Sequence, residues 1–371
     1  MTRVITFIII TLLSFLSSLS AQNTNRPQEP IAPFNYISEN VFFKNTEADN
    51  IKLAGTLTLP KNKKNPAVAI LISGSGAQDR NSEIKQFNHK PFLVLSDYLT
   101  NNGIAVLRFD ERGVAESEGD FKTATSFDFA SDIDAAIAYL KTRKDINTSK
   151  IGLIGHSEGG LVAPIVASKN TEIAFIVMLA GPGVNGREVL ESQSWEMGKN
   201  AGATEETLQF NKALTSAAYN VLKTETESSK IKSGVRLAIN TLKKKLENKN
   251  SPYAIYITDA MITQLSAQIA SPWLSTFIIT EPKDYLKKTT CPVLALNGSK
   301  DLQVLPKLNL ENIEKALKAA KNKDVTITEL ESLNHLFQTA KTGRMQEYSQ
   351  IEETFSPYAL KIISDWINER F

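Results

Sequence analysis

The chain has 371 residues, and its 42 Lys and Arg against 40 Asp and Glu give a net charge of +2, too small for the basic surface of a nucleic-acid-binding protein. Apolar residues at 42% and charged residues at 22% are typical of a globular protein and exclude a disordered chain. The single cysteine excludes an internal disulfide framework and a zinc site built from thiolates.

Residues 1–21 have the pattern of an export signal. Arg3 precedes an apolar run from Val4 to Leu16, and small residues lead to Ala21. This order is typical of a secretory signal peptide, and the apolar run is short for a membrane-spanning helix. We therefore expect cleavage near Ala21, export to the periplasm or the extracellular space, and no stable membrane insertion afterwards. An uncleaved membrane anchor is the alternative.

The chain after the signal alternates between strand patterns and helix patterns. Predicted strands cover 41–45, 51–59, 67–73, 104–109, 151–154, 173–179, 292–296 and 325–330. Predicted helices of the same region cover 91–101, 126–143, 309–321 and 357–370. The first two strands form a hairpin, and the later ones are nearly continuous apolar runs, which indicates burial on both faces. The sequence thus predicts an α/β fold, with a mostly parallel sheet and helices on both faces.

Residues 183–290 interrupt this alternation, because they contain helical patterns and no convincing buried strand. The helical patterns cover 205–223, 230–247 and 253–270. We predict that this segment is a helical cap inserted between two parts of an α/β core, 22–182 and 291–371. The run Lys243–Lys245 lies opposite the apolar positions of its helix, which indicates a solvated helix face rather than a binding patch.

The segment Gly155-His156-Ser157-Glu158-Gly159 follows a predicted buried strand and leads directly into a helical pattern. Glycines two positions before and after the serine allow a tight turn from strand to helix, and the turn places the hydroxyl at a helix N-terminus. This context favours Ser157 as a catalytic nucleophile over a purely structural turn.

A serine nucleophile needs a base, and the base needs a carboxylate that orients it. The three histidines are His89, His156 and His335, and only His335 follows the last predicted strand. Asp301 follows the preceding predicted strand, so both side chains are expected at the same edge of the sheet. The order Ser157, Asp301, His335 is the one expected of α/β-hydrolases. A packed histidine and an ordinary turn acid are the alternatives.

Catalysis by serine also requires hydrogen-bond donors for the oxyanion. We predict that these are the backbone N–H of Glu158, directly after the nucleophile, and that of Ser75 in the loop after the first parallel strand, with Gly76 as the alternative to Ser75. The same loop lacks the Gly-Lys-Ser/Thr of a phosphate-binding loop. Isolated histidines do not form a metal site, and we expect neither a cofactor nor a metal.

Several motifs together resemble secreted bacterial α/β-hydrolases of the serine aminopeptidase (S33-like) and EstD-type carboxylesterase group. They lie at 73–80, 110–119, 155–159, 296–301 and 333–337. The resemblance covers nearly the whole mature chain. It implies an α/β-hydrolase fold and hydrolysis of an ester, thioester or amide through an acyl-enzyme. Ala115 departs from the pattern, which usually has glycine at that position.

The sequence therefore predicts an exported serine hydrolase, a carboxylesterase acting on small-molecule esters with small or medium acyl groups. A peptidase or thioesterase using the same triad is one alternative, and a catalytically silent binding protein of the same fold is another. Trp195, Trp273 and Phe277 are candidates either for an acyl pocket or for helix packing. Cys291 lies at the start of a strand, away from the expected catalytic edge, which excludes it as the nucleophile.

Overall fold

The computed structural model describes residues 26–371, so the predicted signal peptide at 1–21 lies outside the described part of the chain. Within that part, the chain divides into two compact units. One unit comprises residues 185–280, and the other comprises 26–184 together with 281–371. The first unit falls inside the segment predicted to be a helical cap, and the second carries the predicted α/β core.

The larger unit is built on one eight-stranded sheet. Its strands are β1 Tyr36–Asn45, β2 Ile51–Pro60, β3 Val68–Ile72, β4 Ala105–Phe109, β5 Ile151–His156, β6 Phe175–Leu179, β7 Val293–Gly298 and β8 Val325–Leu330. Their spatial order is β1-β2-β4-β3-β5-β6-β7-β8. The pairs β1–β2 and β2–β4 are antiparallel, and every other neighbouring pair is parallel. The C-terminal ends of β3 and β5 to β8 therefore meet at one edge, with β5 near the centre.

Eleven α-helices are present in the described part of the chain. They are α1 Pro91–Asn101, α2 Ser126–Lys141, α3 Gly159–Ala167, α4 Gly186–Asn200, α5 Glu205–Tyr219, α6 Ser228–Asn248, α7 Asp259–Ile269, α8 Pro272–Ile279, α9 Pro282–Leu286, α10 Pro306–Ala319 and α11 Pro357–Asn368. Helices α4 to α8 make up the smaller unit, and the others accompany the sheet. Across residues 26–371, no helix has both the length and the apolarity needed to cross a bilayer.

Helices cover both faces of the sheet. On one face, Ile154 of β5 packs in an apolar cluster with Leu95 of α1 and Leu360 of α11. Its neighbour Gly155 points to the other face, where an added Cβ would lie 2.0 Å from the backbone oxygen of Gly159 at the start of α3. Because successive strand residues point to opposite faces, α3 lies on the side opposite α1 and α11. The predicted α/β class, with a mostly parallel sheet between layers of helices, is confirmed.

Some element boundaries differ from the sequence prediction for local reasons. Strand β5 extends two residues further, to His156, because that residue pairs with Leu179 of β6. Helix α10 begins at Pro306, three residues before the predicted start, since proline suits the first helical turn. The apolar patterns do not predict α4 and α8. Their sequence signals are the N-caps Asn185 and Ser271, whose side chains accept backbone N–H groups of the first turn.

The smaller unit, residues 185–280, has a core formed by its own helices. Helix α6 buries Ile231, Val235 and Ile239, while Lys244 and Lys245 are exposed. This amphipathic pattern keeps the lysine run on a solvated helix face.

The aromatic candidates of this unit take part in helix packing. Phe277 is 5% exposed, and its ring stacks with that of Trp273 at 5.6 Å between centroids. The backbone of Gly186 approaches Phe277 so closely that an added Cβ would lie 2.2 Å from the Phe277 carbonyl oxygen. The ring of Trp195 has the Lys212 ammonium over it at 5.9 Å. Phe277 therefore belongs to the core of the helical unit.

Candidate active site

Ser157 occupies a sharp turn between β5 and α3. Its φ of 53° lies in the left-handed region, which a serine adopts only where the surrounding chain enforces it. An added Cβ at Gly155 would lie 2.0 Å from the Gly159 oxygen, and one at Gly159 would lie 2.2 Å from the Ile72 oxygen. Both glycines are thus required by close backbone contacts. The turn holds the serine at the N-terminus of α3, as the nucleophile prediction requires.

The loop that follows β3 lies beside this turn. An added Cβ at Gly74 would stand 3.1 Å from the Ser157 Cβ and 3.4 Å from the His156 Nδ1. Strands β3 and β5 are parallel neighbours, so their C-terminal ends bring the two loops together. The segment that carries Ser75 and Gly76, the predicted second source of an oxyanion donor, is therefore adjacent to the candidate nucleophile.

Asp301 and His335 are joined by a buried hydrogen bond. The His335 Nδ1 donates to the Asp301 Oδ2 over 2.8 Å, and the residues are 5% and 2% exposed. The other carboxylate oxygen, Oδ1, accepts the backbone N–H groups of Gln303 at 2.8 Å and Val304 at 3.0 Å. With Nδ1 carrying the proton, the Nε2 of His335 has a lone pair available to act as a base.

The turn around His335 is fixed by its own hydrogen bonds. The Asn334 Oδ1 accepts the backbone N–H groups of Leu336 and Gln338, each at 3.0 Å. The end of β7 passes very close, since an added Cβ at Gly298 would lie 2.1 Å from the Leu333 oxygen. These contacts place His335 beside the loop that carries Asp301. Among residues 26–371, the structure records no hydrogen bond between the Ser157 hydroxyl and His335, so the nucleophile–base half of the triad stays a prediction.

His156 supports the His335 turn and is unsuited to be a base. Its Nε2 donates to the backbone oxygen of His335 at 2.8 Å, and the two rings lie 4.8 Å apart. Burial, reinforced by the neighbouring His335, lowers the pKa of His156 to about 4. The ring is therefore neutral near pH 7 and acts as a hydrogen-bond donor.

His89 and Cys291 are structural. The His89 Nε2 donates to the Tyr348 oxygen at 2.8 Å, its Nδ1 bonds with the Thr354 hydroxyl at 3.0 Å, and burial lowers its pKa to about 4. Burial raises the pKa of the Cys291 thiol to about 12, which keeps it a weak nucleophile. Neither residue takes part in the Ser157, Asp301 and His335 arrangement.

Three carboxylates hold the loop at 73–80, and the sequence patterns predict no role for their side chains. The Ser75 Oγ donates to Glu158 Oε2 at 2.7 Å, and the Gln78 backbone N–H donates to Glu111 Oε2 at 2.9 Å. Arg80 donates to Asp110 through both its guanidinium and its backbone N–H, and the shortest of these hydrogen bonds is 2.6 Å. An available signal was the presence of acids directly after apolar strands, where burial requires a partner.

Glu111 has an unusual environment among these acids. Its burial raises the pKa of the carboxyl well above the ordinary value, and the nearby carboxylate of Glu158 acts in the same direction. The N–H of Gln78 opposes this shift. Among residues 26–371, no group of three or more His, Cys, Asp or Glu is placed to hold a metal ion.

The fold and this edge of the sheet define a class. A mostly parallel eight-stranded sheet, a strand–serine–helix turn after β5, an Asp after β7 and a His after β8 characterise an α/β-hydrolase. The sequence profile of the serine aminopeptidase S33 family matches residues 90–339, and the chain belongs to that family.

Two relatives and one solved structure are similar to this chain. Esterase EstD of Thermotoga maritima is 26% identical over 284 residues, which cover 76% of this chain and 58% of EstD. An acyl transferase of Photobacterium leiognathi is 32% identical over 135 residues, 36% of this chain and 39% of that protein. The chain thus spans less than two thirds of either relative. An esterase of Pyrococcus furiosus superposes with a TM-score of 0.53 at 16% identity, covering 94% of this chain and 97% of that one, a likeness in fold.

Proposed function

We propose that the protein is an exported serine hydrolase that cleaves carboxylic esters with small or medium acyl groups. The observation that carries the proposal is the buried hydrogen bond of 2.8 Å between His335 Nδ1 and Asp301 Oδ2, at the sheet edge where Ser157 occupies its strained turn. A buried imidazole oriented by a carboxylate beside a serine at a helix N-terminus is the arrangement that activates a hydroxyl for acyl transfer.

The proposed reaction has two halves. The Ser157 Oγ attacks the ester carbonyl carbon while His335 Nε2 takes the hydroxyl proton, and the backbone N–H groups of Ser75 and Glu158 stabilise the oxyanion. The tetrahedral intermediate then breaks its bond to the alcohol oxygen, which receives the proton from His335. Water, deprotonated by His335, attacks the acyl-enzyme in the same way and releases the carboxylic acid and the free serine.

The preference for esters is supported by the relative EstD, which is named an esterase, whereas the matching family is named for a serine aminopeptidase. The triad chemistry also serves amides and thioesters. The substrate preference is therefore tested with matched acyl groups carried on an ester, a thioester and an aminoacyl amide, with the ester expected to have the highest kcat/KM.

Export is supported by the pattern of residues 1–21, with Ala21 as the proposed last residue of the signal. The mature protein would be periplasmic or extracellular. N-terminal sequencing of the protein from its producing cell tests this, and a sequence that begins before Val4 would contradict it.

Removing the nucleophile tests the central role. Ser157→Ala is expected to lower kcat for p-nitrophenyl acyl esters by at least about 10⁴-fold, because the acyl-enzyme no longer forms. Circular dichroism and the thermal midpoint serve as controls for folding. Turnover by folded Ser157→Ala within tenfold of the unmodified protein would refute the proposal.

A further inference from the structure

The two residues proposed to supply the oxyanion N–H groups are also joined by their side chains. The Ser75 Oγ donates to the Glu158 Oε2 at 2.7 Å. Building on the proposed function, we propose that this hydrogen bond, called here the oxyanion clip, is a positioning device that sets the spacing between the two backbone N–H donors. Ser75 and Glu158 would therefore act through side chains as well as through their backbones.

The Glu158 side of the clip is rigid. Glu158 is 2% exposed and immediately precedes α3, and its other carboxylate oxygen accepts the Ser126 hydroxyl at 2.6 Å. Ser126 is fully buried and is the first residue of α2. The start of α2 is itself fixed by a capping box between Thr125 and Asp128. The carboxylate is thus bound at the N-terminus of α2, where the helix dipole stabilises negative charge.

On the other side of the clip, Ser75 lies in a loop whose sequence allows a flexible backbone. Residues 73–80, all within the described part, form neither helix nor strand, and Ser75 has a glycine on each side. Gly76 adopts a φ of 104°, which glycine tolerates easily. The Gln78 N–H is bound by Glu111, which fixes the far part of the loop. Because its hydroxyl is bound to Glu158, Ser75 restrains the orientation of its own peptide group between the two flanking glycines.

The expected size of the effect follows from how oxyanion donors work. A donor is effective only within about 2.7–3.1 Å of the developing oxyanion, and loss of one donor typically costs about 10²- to 10³-fold in kcat. A donor that is present but poorly positioned lowers kcat less than a donor that is removed. A hydrogen bond to a carboxylate is roughly twice as strong as a neutral one, so the clip is strong enough to hold a glycine-flanked loop.

The test compares two serine-to-alanine variants. Ser75→Ala removes the hydroxyl that donates to the Glu158 carboxylate. Ser168→Ala, the control, removes a half-buried hydroxyl that donates to the Ile165 backbone oxygen at the far end of α3. Ser75→Ala keeps its backbone N–H. We expect kcat to fall by about 10- to 100-fold in Ser75→Ala with KM changed less than threefold, and kcat in Ser168→Ala to change less than threefold.

A transition-state mimic separates positioning from general loss of structure. An aryl trifluoromethyl ketone forms a serine adduct that carries an oxyanion, so its affinity should fall in Ser75→Ala by the same factor as kcat/KM. Ser75→Thr keeps the hydroxyl and is expected to retain activity within about fivefold of the unmodified protein. All rates are divided by the concentration of active sites.

Three outcomes would overturn the clip: unchanged kcat in Ser75→Ala, equal losses in Ser75→Ala and Ser168→Ala, or a loss in Ser75→Thr as large as in Ser75→Ala. Failure of the proposed function is seen separately. In that case Ser157→Ala retains turnover, whatever the Ser75 variants do.

Discussion

At the scale of single residues, the carboxylate of Asp301 determines which nitrogen of His335 is the base. Its Oδ1 accepts two backbone N–H groups, from Gln303 and Val304, and its Oδ2 accepts the proton of His335 Nδ1. The backbone donors require an acceptor at Oδ1, so the side chain has one orientation. The proton on Nδ1 leaves the Nε2 of His335 free to receive the proton of a nucleophile.

This geometry predicts the effect of Asp301→Asn. The N–H groups of Gln303 and Val304 will select the amide oxygen, which turns the NH₂ group toward His335 Nδ1. His335 must then carry its proton on Nε2, the tautomer that cannot act as a base. We expect kcat to fall by about 10³- to 10⁴-fold while the protein stays folded. Steady-state kinetics with a thermal melt checks this, and a loss below tenfold would contradict it.

The residues proposed for catalysis follow from the sequence to different degrees. The positions of Ser157, Asp301 and His335 are predictable because each follows a strand of the parallel sheet, and parallel strands end at one edge. The strands before Ser157 and Asp301 are buried, and the strand before His335 is a partly buried edge strand. The contacts of the Glu158 carboxylate are not, because they depend on where α2 begins in space. The hydrogen bond from His156 to the His335 backbone depends likewise on how the last loop folds back.

At the scale of elements, the loop after β4 contains the departure from the family pattern at Ala115. Ala115 has a φ of 46°, and the glycines at 113 and 119 in the same loop have φ values of 71° and 105°. In this left-handed region the Cβ of alanine is crowded, which costs about 1–2 kcal/mol relative to glycine. The loop therefore keeps the backbone shape that glycine would favour, with an alanine in its place.

Ala115→Gly is accordingly expected to raise the free energy of unfolding. The gain is about 0.5–1 kcal/mol, the relief of steric strain less the greater freedom of glycine in the unfolded chain. The matched control is Ala319→Gly, at an exposed helical position at the end of α10. This substitution should lower the free energy of unfolding by up to about 1 kcal/mol. Urea titration measures both variants. If Ala115→Gly destabilises the protein as much as the control does, Ala115 is not strained in the folded state.

Element types are more predictable than element ends. The buried strands are visible as apolar runs because both faces of the sheet are covered. The ends depend on pairing, as for His156 at the end of β5, which pairs with Leu179 although its side chain is not apolar. In the 185–280 unit, α4 cannot be predicted from a periodic apolar pattern because only four of its residues are buried: Gly186, Val189, Leu190 and Gly198.

At the scale of the whole molecule, the buried His89 and the half-buried His156 link folding to pH. His89 and His156 are both neutral in the folded protein, since burial lowers the pKa of each from 6.5 to about 4. In the unfolded chain both titrate near 6.5. Between about pH 4 and 6.5 the unfolded state therefore binds more protons, and the free energy of unfolding falls as the pH falls.

The predicted loss is about 2 kcal/mol for each imidazole between pH 7 and pH 5. Urea unfolding at pH 7, 6 and 5 measures it. His89→Gln should roughly halve the dependence, because it removes one of the two titrating groups and leaves His156. A free energy of unfolding that does not change between pH 7 and 5 would show that neither histidine is held neutral.

The fold class of the whole chain is predictable because a parallel sheet covered on both faces leaves a strong pattern of apolar runs. The substrate is not predictable in the same way, since one fold of this kind carries many specificities and the acyl group is selected by side-chain contacts that no motif describes. The proposed activity therefore depends on the chemistry of Ser157 rather than on the identity of the substrate.

The most direct measurement is the reaction of the full chain with a fluorophosphonate, which phosphonylates an activated serine and needs no knowledge of the substrate. Mass spectrometry of the digested protein should locate one adduct per chain, on Ser157, with loss of ester hydrolysis in proportion to labelling. Asp301→Asn should label far more slowly. Complete inhibition with the adduct on another residue, or continued hydrolysis by fully labelled protein, would contradict the assignment of Ser157 as the nucleophile.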